Sequence, residues 1–174
     1  LVSSEPSNSI CAGETVTYTA SGGALYEFFV NGNSQGTLSP NNNFTINSLG
    51  NNAIVSVVVS SFTGCTDTSS FAPITVTPLP TTSIISTDTV ICAGQLVDFT
   101  ASGATDFEFF INNVSQGAPS PLNTLTSGSL ANGDVVTVAG TSSGCSASSS
   151  SIVFVVYGFP IVDLLNNGDN ELCV

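Results

Sequence analysis

Cysteines and carboxylates are the most reactive side chains of this 174-residue sequence: five Cys and twelve Asp plus Glu, with Lys, Arg and His absent altogether. Thiols offer disulfides, metal ligation or nucleophilic attack. A serine or cysteine nucleophile needs a neighbouring base such as His or Lys, and phosphoryl transfer needs a cation on the developing charge. Neither is available. Paired carboxylates could hydrolyse a glycosidic bond, and Asp106 and Glu108 stand two apart on one strand face. The matching earlier positions hold Leu25 and Glu27, however, and no cleft is implied. The chain reads as non-enzymatic.

The same missing cations bear on partners. Nucleic acids and anionic lipid surfaces are held by Lys and Arg, so a chain of net charge −12 is repelled by both. Isopeptide cross-links need a lysine amine, and trypsin-like cleavage needs Lys or Arg. The most apolar run, Ile152 to Leu165, is broken by Gly158, Pro160 and Asp163 and is shorter than the roughly 20 residues that span a bilayer as helix. No direct membrane insertion is expected. Leu1 opens the chain without a basic leader, which reads as a mature or excised piece.

Calcium is the metal that oxygen ligands alone could hold. The densest oxygen-rich stretch is Asn166-Asn167-Gly168-Asp169-Asn170-Glu171, so Asp169 and Glu171 are the calcium candidates. Its spacing departs from an EF-hand loop, and a solvated turn is the favoured reading. No other cofactor is implied.

The elements that must position these residues come in copies. Cys11-Ala12-Gly13 returns as Cys92-Ala93-Gly94, a shift of 81 residues, and Thr19-Ala20-Ser21-Gly22 returns at the same shift as Thr100-Ala101-Ser102-Gly103. Glu27-Phe28-Phe29 returns as Glu108-Phe109-Phe110, Ser34-Gln35-Gly36 as Ser115-Gln116-Gly117, and Gly64-Cys65 as Gly144-Cys145. These are tandem modules. The first covers residues 1–79, the second 80–158, and 159–174 is the first strand of a third, where Cys173 falls 81 residues after Cys92.

Within each module the cysteines are 54 and 53 residues apart, which pairs Cys11 with Cys65 and Cys92 with Cys145 and leaves Cys173 to a partner outside the chain. Free thiols, a metal site and pairing across modules are the alternatives. Two thiols per module without His support zinc poorly, and their repetition favours a disulfide framework in an oxidising compartment.

Val, Ile, Thr and Phe with Gly, Asn and Pro between them indicate an all-β chain. After a leading strand before Cys11, strands are expected over 15–20, 26–30, 44–48, 54–60 and 74–77, and again over 97–101, 107–111, 125–129, 135–141 and 152–156. Asn31-Gly32 signals a tight turn. The expected architecture is a tandem of antiparallel immunoglobulin-like β-sandwiches with one disulfide each. Alternation puts Tyr26, Phe28 and Val30, with Phe107, Phe109 and Ile111, in the core. Phe29 and Phe110 point the other way, covered by their own sheet or offered to a partner.

The pattern Cys-Ala-Gly-x-x-Val-x-(Tyr or Phe)-Thr-Ala-Ser-Gly, followed by (Tyr or Phe)-Glu-Phe-Phe-(Val or Ile)-Asn and by Gly-Cys before a Val-rich strand, resembles the Ig-like or PKD-like repeats of long Bacteroidota cell-surface adhesin and gliding proteins. The resemblance covers both modules and the stub. It implies export by the type IX system, an extracellular, cell-surface location and a non-catalytic role in adhesion, as stalk or filament. It also implies an O-glycan acceptor in Asp88-Thr89-Val90, at Thr89. Expected partners are neighbouring repeats of the same chain or filament, surface glycans and other cell-surface proteins. The alternatives are a self-polymerising filament subunit that completes a neighbour by strand addition, and a spacer of a secreted hydrolase.

Overall fold

The computed structural model describes residues 1–5 and 8–162. No helix occurs among them. The first repeat supplies β1 (Val2–Ser3), β2 (Ser9–Cys11), β3 (Val16–Thr19), β4 (Leu25–Val30), β5 (Asn33–Ser34), β6 (Asn43–Ile46), β7 (Val55–Ser60), β8 (Thr66–Ser70) and β9 (Thr75–Thr77). The second supplies β10 (Ser83–Ser86), β11 (Val90–Cys92), β12 (Val97–Ser102), β13 (Asp106–Ile111), β14 (Val114–Ser115), β15 (Thr124–Ser127), β16 (Val135–Ser142), β17 (Cys145–Ser148), β18 (Ile152–Val153) and β19 (Val155–Tyr157). The chain folds as two compact units. One is Leu1–Thr81 with Thr141–Ala147, and the other is Thr82–Gly140 with residues 148–162.

Each repeat builds the immunoglobulin-type pair of sheets. In the first, β1-β3-β6 faces β5-β4-β7-β8, while β2 runs parallel to β9. In the second, β10-β12-β15 and β14-β13-β16-β17 take the same places, and β11 runs parallel to β19. The strands β8 and β17, which follow the Gly-Cys turns, have no counterpart among the expected strands. Their Ser- and Thr-rich sequences carry little apolar alternation, and β8 is exposed along its whole length. Their pairing comes from the neighbouring β7 and β16.

Period-two alternation sets the core. Val16 and Tyr18 of β3, Tyr26 and Phe28 of β4, and Val55 and Val57 of β7 are buried together with Ile10 and Ile74. Val97, Phe99, Phe107, Phe109, Val136, Val138 and Phe154 form the equivalent core of the second repeat. Tyr18 stacks edge-on against Phe71 at 5.6 Å between ring centres, and Phe99 does the same against Phe154 at 5.7 Å.

With no side-chain cations, asparagine amides hold the loops. Asn31 and Asn112 each occupy the left-handed region in two-residue turns, with Gly32 and Asn113 beside them, which matches the twist of the hairpins β4–β5 and β13–β14. Their carboxamide oxygens accept the backbone N–H of Ile54 (2.9 Å) and Val135 (3.0 Å). Asn42 and Asn123 donate to the carbonyls of Ala20 and Ala101 at 3.0 and 3.1 Å. Asn51 and Asn132 accept from Val76 and Val156 at 3.0 and 3.2 Å. Carboxylates are met in the same neutral way. The Ser34 hydroxyl donates to Glu27 at 2.7 Å and that of Ser115 to Glu108 at 2.6 Å. The Ala131 N–H, then the Asn112 amide, hold the Asp134 carboxyl below the usual aspartate range.

Among the described residues two buried hydroxyls, those of Tyr18 and Thr82, break this pattern. The Tyr18 hydroxyl is buried without a partner, and burial raises its pKa. The second repeat has Phe99 in its place. A buried unpaired hydroxyl costs free energy that a ring of the same shape does not. Tyr18→Phe should therefore stabilise the protein by about 1 kcal/mol, read as a higher melting temperature by calorimetry. A lower value would show that the hydroxyl contributes to the native state.

Candidate functional site

The repeated Cys-Ala-Gly begins as a turn. The Glu14 N–H donates to the Cys11 carbonyl at 3.1 Å and the Gln95 N–H to Cys92 at 3.1 Å. Gly13 and Gly94, at the third turn position, have φ of 83° and 78°. A side chain is strained there, which accounts for the glycine. Glu14 closes the turn by accepting the Cys11 N–H at 2.9 Å, and the Gln95 carboxamide oxygen does the same for Cys92 at 3.3 Å. Each turn follows the short strand that pairs in parallel with the last strand of its repeat, with Cys11 opposite Thr77 and Cys92 opposite Tyr157.

The Gly-Cys motif is a second kind of turn. Ser143 and Gly144 have φ of 51° and 82°, and together they form a tight hairpin loop between β16 and β17. In the first repeat the loop between β7 and β8 spans residues 61–65, with Gly64 at φ 88° and the Cys65 N–H donating to the Ser61 hydroxyl at 3.1 Å.

Cys11 is bonded to Cys145, 134 residues away, with the Cα atoms 5.6 Å apart. This corrects the expected pairs Cys11 with Cys65 and Cys92 with Cys145. Cys65 and Cys92 are free thiols, both exposed. The reason lies in strand direction. Cys65 stands at the start of the β8–β9 run, whereas Cys11 stands opposite Thr77, at its end. Twelve residues at roughly 3.3 Å each place the two tens of ångströms apart. A disulfide needs Cα atoms within about 7 Å. Cys145 and Cys92 are separated in the same manner, by β17 to β19. In the fold's own terms, the Cys-Ala-Gly cysteine belongs to the trailing end of its repeat and the Gly-Cys cysteine to the leading end. The Thr141–Ala147 hairpin tip accordingly clusters with Leu1–Thr81, and Ser9, Cys11, Glu14, Thr77, Gly144 and Cys145 line one shallow hollow. Of the sequence alternatives, two are realised: Cys11 and Cys145 pair across modules, and Cys65 and Cys92 are free thiols.

The remaining candidates do not converge. Asp169, Glu171 and Cys173 lie outside the described residues. Among the described residues no group of three or more His, Cys, Asp or Glu could hold a metal ion. Asp106 accepts from the Thr105 hydroxyl at 3.3 Å, while Glu108 is engaged by Ser115. Thr89 is exposed in the bend before β11, and its carbonyl accepts the Val155 N–H at 2.9 Å. Phe29 and Phe110 are half-buried on their strands, opposite Ser34 and Ser115 in register. Phe62, beside Cys65, is 93% exposed, and its position was not singled out by the sequence, because a lone Phe in a loop carries no period. No helix among the described residues is long and apolar enough to cross a membrane.

No protein-family description and no curated protein match the chain. Solved structures give distant likenesses. Mouse CEACAM1b aligns over 86% of this chain and 96% of its own, at 10% identity and TM-score 0.41. The fibronectin(III)-like modules of Clostridium thermocellum CbhA align over 85% and 89%, at 11% identity and TM-score 0.44. A 1.5-MDa bacterial ice-binding adhesin aligns over 86% and 61%, at 19% identity and TM-score 0.38.

The pairing is directly measurable. With no Lys or Arg there is no tryptic site, but cleavage at Asp and Glu separates all five cysteines. Non-reducing peptide mapping should find Cys11 linked to Cys145, and Cys11→Ser should cost about 2–5 kcal/mol in chemical denaturation. A Cys11–Cys65 peptide would overturn the assignment.

Proposed function

We propose that this chain is a non-catalytic structural segment of an extracellular cell-surface protein, a stalk or filament of tandem sandwiches that carries adhesion. One observation supports this above the others. The residues that the two repeats share are spent on holding the fold: Gly13 and Gly94 on turns, Asn31 and Asn112 on loop amides, Ser34 and Ser115 on Glu27 and Glu108. Repetition at these positions preserves construction. A disulfide fits an oxidising compartment outside the cytosol.

Such a segment works by length and by resistance to unfolding. Tension that enters before Cys11 and leaves after Cys145 crosses the disulfide and bypasses the residues between them. The polar loops, an O-glycan at Thr89, and Phe29 and Phe110 are the features from which contact with surface glycans or other cell-surface proteins would come.

Pulling single molecules from their ends tests the mechanical part. Reduction should release the 134-residue loop and lengthen the extensible chain by roughly 450 Å at about 3.4 Å per residue. Equal lengths with and without reductant would remove the bypass. Antibodies against the chain should also label intact cells of its source. Labelling only after permeabilisation would overturn the extracellular assignment.

A further inference from the structure

The cysteine that ends one half of each repeat is bonded across repeats in one instance and left unbonded in the other. Cys11 and Cys92 occupy the same turn, and Cys65 and Cys145 the same hairpin, so the four cysteines are two copies of two positions. Only the trailing-end cysteine of the first repeat and the leading-end cysteine of the second have met. The unused pair is Cys65, a leading-end cysteine, and Cys92, a trailing-end one.

Their surroundings differ from those of the bonded pair in one consistent way. Cys145 is 3% exposed, whereas Cys65 is exposed, and Phe62, three residues before it in the same loop, is 93% exposed. At the other half, Val90 and Tyr157, which flank Cys92 in the β11–β19 pairing, are among the large apolar side chains left in solvent, with Leu96 close by in sequence. The equivalents of Val90 and Tyr157 in the first repeat, Ser9 and Thr77, line one hollow together with residues 143–145. Apolar surface is thus left open at both unused halves.

From this we infer that Cys65 and Cys92 are complementary halves of the same staple, each built to form a disulfide with the opposite half on another repeat of this type. Cys65 takes a Cys-Ala-Gly cysteine, Cys92 takes a Gly-Cys cysteine, and the joint repeats the Cys11–Cys145 geometry. The two thiols lose two protons and two electrons to a disulfide oxidant, which leaves as two thiols, and one S–S bond forms. The inference rests on the register of the cysteines and on oxidising surroundings, and not on adhesion, so a failure of the adhesive reading would leave it standing.

Two arms test it, one for each source of the second repeat. In the first, Cys65→Ser and Cys92→Ser versions, each also carrying Cys173→Ser, are equilibrated separately and as an equimolar mixture in a glutathione redox buffer. The mixture should yield a Cys92–Cys65 heterodimer well above the proportion of random pairing, and neither version alone should dimerise appreciably. In the second, residues 1–77 are appended after Ile161 of a Cys65→Ser chain, and peptide mapping should find Cys92 linked to Cys65 of the appended copy. A link in both arms means that separate chains and joined repeats alike supply the partner. A link in the second arm alone means that the partner comes from the same chain. Random proportions in the first arm together with a free Cys92 in the second would overturn the inference, as would Cys92–Cys145 linkage in either.

Discussion

Everything in this fold is arranged around the lack of a positively charged side chain. Twelve carboxylates cannot be paired with a guanidinium, ammonium or imidazolium, so their oxygens must be met by hydroxyls, amides and backbone N–H groups. Ser34 and Ser115 do this for Glu27 and Glu108, and Ala131 and Asn112 for Asp134. The same economy governs the loops, where an Asn amide, with both a donor and an acceptor, replaces the ion pair as the device that fastens a turn to a strand. Such contacts are short-ranged and little affected by salt, whereas surface ion pairs weaken as ionic strength rises. Cohesion then falls to apolar packing, strand ladders and the covalent bond at Cys11.

The covalent bond is itself a product of strand direction. Because β2 runs parallel to β9, a cysteine near the start of the sequence is carried to the end of its repeat, next to the residue where the chain leaves it. The Gly-Cys hairpin sits at the opposite end for the same reason. A β-sandwich that paired all its strands antiparallel would have no cause to divide its cysteines this way. The loop closed by Cys11 and Cys145 is also more than twice as long as the one that either repeat could close alone, which in the chain-entropy account raises a stabilisation of about 4 kcal/mol to about 5 kcal/mol.

Much of this was legible in the residues. The repeat, the all-β class, the sandwich and the inward faces of β4 and β13 follow from spacing and alternation, and Asn31-Gly32 announced its turn. What escaped was whatever depended on partners rather than on local pattern. The strands β8 and β17 carry no apolar alternation because their stability comes from β7 and β16. The parallel pairing of β2 and β9 leaves no mark in a three-residue strand, and without it the near-equal spacing of 54 and 53 residues pointed to the wrong cysteine partners. Equal spacing shows that a pair of positions is repeated. It does not show that they belong to each other.

The connectivity also sets an order of events during synthesis. A chain made from its N-terminus presents Cys11, then Cys65, then Cys92, and only after these the partner that Cys11 keeps, Cys145. Two nearer thiols are on offer first. The first repeat must therefore either fold before it is oxidised, so that strand geometry holds Cys65 out of reach, or pass through a wrong disulfide that is later exchanged. Completion of one repeat waits on the arrival of the next.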